Sequence, residues 1–219
     1  MTAIQKLFVD SETAGTLEEP IVYNLGAHML DGEEPENYIV NETFFDHDLM
    51  NTAYYADKRP IYVDQLWDSE IFAEDFWTMR DRINATIKAA NGRIQVYAHN
   101  AAFDVRALNN TCRVLSGGKV KYFFPYGTEI CDTLKMARQV LGKMPTYIRF
   151  CEENGYMTKH KTPRPRFTAE VIYRFITKDP DFAEAHRGLE DVLIEQEIYR
   201  YIMRQHKKCD KVLYPGKKG

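Results

Sequence analysis

The stretch Lys6-Leu7-Phe8-Val9-Asp10-Ser11-Glu12-Thr13 decides how the rest of the chain is read. Its apolar run predicts a strand, and the strand period of two turns Asp10 and Glu12 to the same side. Two carboxylates therefore share one face. Further along, Ile94-Gln95-Val96-Tyr97-Ala98-His99-Asn100-Ala101-Ala102-Phe103-Asp104 reads as a short strand followed by a helix that Asn100 would cap. That reading puts Asp104 in the first turns of a helix leaving a strand end. In Ala185-His186-Arg187-Gly188-Leu189-Glu190-Asp191-Val192-Leu193-Ile194, Asp191 lies in an amphipathic helix. His186, five residues upstream, falls at or before the helix start, on backbone irregular enough to let it approach a substrate.

The remaining segments alternate. Residues 20 to 30 read as a second strand, Asp31-Gly32 as a turn, and residues 37 to 45 as a third strand, giving an antiparallel meander. Residues 46 to 90 are helical in texture, with the clearest helix at 73 to 90, stopped by Asn91-Gly92. A strand at 94 to 98, a helix at 101 to 115, a strand near 119 to 124 and helices from 131 onward complete an α/β pattern. Residues 155 to 168, rich in basic residues and proline, are expected to be a long mobile loop.

A chain of 219 residues is the size of one domain, here expected over 1–203, with a basic tail over 204–219. No apolar run approaches the ~18 residues that span a bilayer, and the N-terminus does not read as a secretory signal, so the expectation is a cytoplasmic protein. Cys112, Cys131, Cys151 and Cys209 are widely spaced, which argues against a zinc knuckle or a disulfide framework. The net charge of -3 conceals a division: residues 1–81 hold 18 acidic and 4 basic side chains, residues 82–219 hold 14 acidic and 25 basic. Lys159, Lys161, Arg164 and Arg166 form one basic cluster, expected to grip phosphates. Arg204, Lys207, Lys208, Lys211, Lys217 and Lys218 form another.

Three motifs now stand in order: Asp-x-Glu-Thr at 10–13, His-Asn-x-x-Phe-Asp at 99–104 and His-x-x-x-x-Asp at 186–191. Together with Cys131-Asp132-Thr133-Leu134-Lys135-Met136-Ala137-Arg138, they make the chain resemble the DEDDh (DnaQ-like, proofreading-type) exonucleases over roughly residues 5 to 202. The resemblance implies a ribonuclease-H-like fold, with a mixed five-stranded sheet (antiparallel meander plus parallel strands) and helices on both faces. It implies a 3′-to-5′ exonuclease that releases nucleoside 5′-monophosphates from single-stranded or frayed ends. DNA is slightly favoured over RNA, and an exoribonuclease or oligoribonuclease-like enzyme is the alternative; a catalytically inactive nucleic-acid-binding module is a more distant one. Replication or repair are the implied settings, any proofreading would act in trans to a polymerase, and a homodimer is compatible with the family.

The implied cofactor is a pair of Mg²⁺ ions, or Mn²⁺, held by Asp10, Glu12, Asp104 and Asp191, since hard cations prefer oxygen donors. The resemblance assigns His186 the general base; its spacing from Asp191 is that of the histidine subclass rather than the tyrosine one. Glu190 is expected to point away from the site. Thr13, Asn100 and Phe103 are implied substrate contacts, although Phe103 by its apolar character reads first as core and His99 as structural. Thr13-Ala14-Gly15-Thr16 departs from the family's usual Thr-Thr-Gly or Thr-Gly, which points to an altered loop. The pairs Phe44-Phe45, Tyr54-Tyr55 and Phe123-Phe124 could stack bases, but most are expected in the core.

Overall fold

A computed structural model describes residues 3–32, 35–69 and 71–216; Lys217 and Lys218 of the expected basic tail lie outside them. The strands are β1 (Gln5–Gly15), β2 (Pro20–Met29), β3 (Glu36–Val40), β4 (Phe72–Glu74), β5 (Ile94–Ala98), β6 (Glu129–Asp132) and β7 (Val212–Tyr214). The helices are α1 (Asn41–Phe44), α2 (His47–Met50), α3 (Arg59–Trp67), α4 (Phe76–Ala89), α5 (Ala101–Leu115), α6 (Thr133–Val140), α7 (Pro145–Glu153), α8 (Ala169–Thr177) and α9 (Gly188–Arg204). The strands form one mixed sheet in the order β4-β3-β2-β1-β5-β6-β7. β1, β2 and β3 are antiparallel neighbours, whereas β1, β5 and β6 run parallel.

Alternation along β1 builds two cores. Leu7 and Val9 pack with Phe76, Met79 and Ile83 of α4 and Leu108 and Cys112 of α5. Phe8 faces the other way, into a cluster containing Val192, Ile198 and Tyr199 of α9. Each such fully buried side chain contributes about 1.5–3 kcal/mol. Asp10 and Glu12 continue the Phe8 row, so the predicted common face is realised on the α9 side. The pairing of β1 with β5 ends at Phe8–Tyr97, and the remainder of β1 runs past it; its carboxylates therefore stand in the crevice at the carboxyl end of β5.

The sheet has seven strands rather than the expected five, because short edge strands β4 and β7 extend it. A three-residue strand has too little periodicity to read locally; neighbours supply its stability. The expected strand at 119–124 is irregular. Phe123 is buried there, but its carbonyl accepts from Arg80 Nε (3.0 Å) and Asn84 Nδ2 (2.8 Å), and its N–H donates to Asn109 (2.8 Å), leaving no backbone group for a ladder. The strand that pairs with β5 is β6, ten residues on. Residues 41–44, expected as strand, form α1, and Phe72–Glu74 is strand rather than the beginning of α4.

Two loops also differ from expectation. Residues 156–166 fold back on themselves: Arg166 N–H donates to the Tyr156 carbonyl (2.9 Å) and Thr158 N–H to that of Arg164 (2.8 Å), around a Met157–Pro165 bridge. β7 lies within the expected tail and pairs with β6, while Lys135 bonds both Asp210 (2.6 Å) and the Val212 carbonyl (2.7 Å), so residues 210–214 belong to the domain. All four cysteines are free thiols. Among the described residues, no helix is long and apolar enough to cross a membrane.

Candidate active site

A cleft of about 1250 Å³ opens at the crevice beside β1, larger than the ~300–1000 Å³ of a small-molecule pocket. Its floor comes from β1, α5 and α9. Asp104, in the first turn of α5, turns one oxygen to Ser11, which donates to it from both its hydroxyl (2.7 Å) and its N–H (3.1 Å). Asp191, in the first turn of α9, faces β1 because that helix approaches very closely. A Cβ built on Gly26 would fall 2.2 Å from the Gly188 carbonyl, and Gly188 N–H donates to Asn24 Oδ1 (2.9 Å). Only glycine at 26 and 188 permits that approach. Asn24 is held in turn by Tyr62 and Asn37.

Glu12, His186 and Asp191 each offer a donor atom within 4.8 Å of the others. Asp10 and Asp104 complete the acidic floor, and their fields reach each other. Burial, and then repulsion by neighbouring acids (Glu184 foremost for Glu12 and Asp191, Asp104 for Asp10), raise the carboxyls of Asp10, Glu12 and Asp191: Glu12 reaches about 7, Asp191 about 9, and Asp10 rises well above its ordinary value. Asp104 also rises to about 7 through burial, despite the opposing bonds from Ser11. Asp191 Oδ1 is shielded from solvent without any hydrogen-bond partner. An orphaned buried oxygen among converging carboxylates is one that a divalent cation would satisfy, and an all-oxygen donor set suits Mg²⁺ or Mn²⁺. The residues present fit such ions.

The rim is assembled from loops. His186 takes a left-handed backbone (φ 53°), a conformation concentrated at functional sites, and its ring stacks on Tyr55 (centroids 3.9 Å, planes 12° apart). Burial lowers its pKa, with Glu170 opposing. Tyr54 packs edge-on against Tyr55 and is 86% exposed at the cleft mouth. Of the expected basic grip, Arg164 and Arg166 line the cleft; Lys159 and Lys161 are exposed but are not in its wall, because the folded-back loop carries them past it. Arg138 joins the wall from α6. Glu190 pairs with Arg187 (2.5 Å), outside the cleft wall.

The second motif is partly architectural. Asn100 lines the cleft but does not cap α5: it is left-handed (φ 69°), and its N–H donates to Asp132 Oδ1 (3.1 Å), which also caps α6. His99 Nε2–H donates to the Phe167 carbonyl (2.7 Å), so its Nδ1 is the acceptor facing the Thr133 hydroxyl (3.0 Å). Burial holds it neutral, and it fastens the basic loop to the sheet. Phe103 is a half-buried wall residue under the Arg106 guanidinium rather than core. Thr13 also lines the cleft. β1 continues through Gly15, where the altered loop was expected, and a bulge between Glu12 and Thr13 re-aims it. Of the three aromatic pairs, expected mostly in the core, only Phe44 and Phe123 are buried; Phe45 and Tyr54 are exposed and Tyr55 and Phe124 half-buried. Glu184 and Glu195, which also line the cleft, were not among the residues that the motifs indicate.

The architecture is the ribonuclease-H-like fold of exonucleases. No protein-family model matches the chain, and no curated protein does. Solved structures do. A full-length 3′-exonuclease aligns with 96% of this chain and 86% of its own at a TM-score of 0.63 and 12% identity. A 3′-exonuclease recognising a histone mRNA stem-loop covers 96% and 85% (TM-score 0.59, 12% identity). Exonuclease X bound to 5′-overhanging duplex DNA covers 93% and 95% (TM-score 0.51, 15% identity). At these identities the likeness is one of fold.

Proposed function

We propose that this chain is a metal-dependent 3′-to-5′ exonuclease that releases nucleoside 5′-monophosphates from single-stranded or frayed nucleic acid. The observation that carries this reading is the convergence of Asp10, Glu12, Asp104 and Asp191 with His186 in a single cleft, under a wall of three arginines. The four carboxylates would hold two divalent cations. When bound, such ions make a nucleophile at neutral pH and neutralise charge on the attacking and leaving oxygens. Arg138, Arg164 and Arg166 hold the phosphate backbone, which supplies affinity without sequence preference. His186, neutral by virtue of its burial, accepts a proton from the attacking water. Phe103 and Tyr54 offer apolar faces against which terminal bases stack.

The test is release of mononucleotides from 3′-ends of labelled DNA and RNA with Mg²⁺ or Mn²⁺, in a length series from the dinucleotide upward. Asp10→Asn should abolish turnover, and His186→Ala should lower it by about 10²–10⁴-fold while substrate still binds. Undiminished turnover in either variant sinks the mechanism. The sugar and length preferences from the same series distinguish a DNA exonuclease from an exoribonuclease or a degrader of short oligonucleotides.

A further inference from the structure

Glu195 lies one helical turn beyond Asp191 on α9, so the two carboxylates share a face of the helix. It lines the cleft and is only 2% exposed. A glutamate so deeply buried is ordinarily paired with a cation, and no ion pair to it exists among the described residues. One oxygen, Oε1, accepts from the His99 N–H at 2.8 Å. The other, Oε2, is sealed from solvent with no hydrogen-bond partner, as is Oδ1 of Asp191.

Neither protonation state satisfies that oxygen. As a carboxylate it is a buried acceptor without a donor; as an acid its hydroxyl is a donor without an acceptor. If the only task were to hold the end of β5 through His99, one neutral carbonyl oxygen would suffice, and glutamine would perform it without burying charge. Glu195 lines the same cleft as Asp10, Asp104 and Asp191, and the charges of Asp104 and Asp191 reach it, so it belongs to the acidic floor. A divalent cation is the partner that converts all of these orphaned oxygens into ligands.

We infer that Glu195 is a fifth carboxylate of the cation site, an oxygen ligand for Mg²⁺ or Mn²⁺ beside Asp104 and Asp191. The inference rests on the nuclease reading above and adds a ligand outside the three motifs. Its place in the fold also couples the ion to the substrate wall: Glu195 holds His99, and His99 holds the loop carrying Arg164 and Arg166.

The experiment is calorimetric titration of the full chain with Mn²⁺, with melting measured in chelator and in Mn²⁺, for wild type, Glu195→Gln, Glu195→Asp and Asp10→Asn. Glu195→Gln keeps the acceptor for His99 and should melt in chelator no lower than wild type, yet bind Mn²⁺ about tenfold or more weakly. Glu195→Asp, which restores the charge on a shorter stem, should recover part of that loss. If Glu195→Gln melts lower in chelator, the aspartate variant carries the test: weakened Mn²⁺ binding upholds the inference and unchanged binding overturns it. Wild-type affinity in a stably folded Glu195→Gln, alongside lost binding in Asp10→Asn, removes Glu195 from the site and leaves the nuclease reading standing. A wild type that binds no Mn²⁺ overturns both.

Discussion

The floor and the rim of the cleft are built by opposite means. The floor stands on β1, α5 and α9, elements locked by sheet pairing and by the Gly26–Gly188 contact, and it concentrates acids that burial keeps from ionising freely. The rim is made mainly from three loops, which hold His186, Tyr55, Arg164 and Arg166 at or near the surface, with Arg138 added from α6. The difference shows where each kind of precision is spent. Charges that must approach one another are fixed by rigid backbone, whereas groups that meet a flexible polymer are carried on segments able to adjust.

The strongest way to break this comparison is through pH. Folding raises the floor carboxyls from their ordinary range near ~4 to about 7 for Glu12 and Asp104 and about 9 for Asp191. Between those limits the folded state holds protons that the unfolded chain releases, so stability is greatest at low pH and is lost as pH rises through 7 to 9. In chelator, the free energy of unfolding should therefore fall between about pH 5.5 and 8.5, by up to about 8 kcal/mol if the three groups act independently, and saturating Mn²⁺ should cancel the fall. A metal-free protein that is as stable at pH 8.5 as at 5.5 would show that the floor is not strained.

A smaller effect tests the rim. Tyr55→Ala removes the ring stacked on His186 and should lower kcat about three- to tenfold, the worth of an aromatic stack, with Mn²⁺ affinity unchanged. Tyr55→Phe should keep kcat. Equal losses in both variants would mean that the hydroxyl, not the ring face, matters. The smallest effect belongs to the wall: Arg164→Ala and Arg166→Ala should each raise KM with little change in kcat, and each should flatten the log KM against log salt slope by about 0.7. An unchanged slope would take that arginine off the phosphate path.

Most of the floor was legible in the sequence, and of the rim His186, Arg164 and Arg166 were named there while Arg138 and the stacking of Tyr55 on His186 were not. Strand alternation puts Asp10 and Glu12 on one face and local pattern puts Asp104 and Asp191 near helix starts, but it was the three motifs in order, by their resemblance to a family, that picked these four out. Glu195 carried a local signal too, four residues after Asp191, but nothing in the chain says that such an acid will be buried without a partner. Tyr55 meets His186 across more than a hundred residues of sequence, and Arg138 lines the same cleft as Arg164, whose loop His99 bonds through the Phe167 carbonyl. The edge strands β4 and β7 were hidden for the same reason: three residues become a strand only when a neighbour offers its ladder.

By itself the sequence determined the alternation of β1 and the order of the acidic and histidine motifs, and the family resemblance carried by those motifs implied the class of fold and the four carboxylates of the floor. The alternation follows from periodicity, which backbone geometry reads residue by residue. Tertiary structure alone decided which loops became the rim, which of the basic residues joined the wall, and that Glu195 is buried beside the cleft with an oxygen unsatisfied. Those outcomes depend on contacts between distant segments, whose free energy comes from packing and is written in no single stretch of the chain.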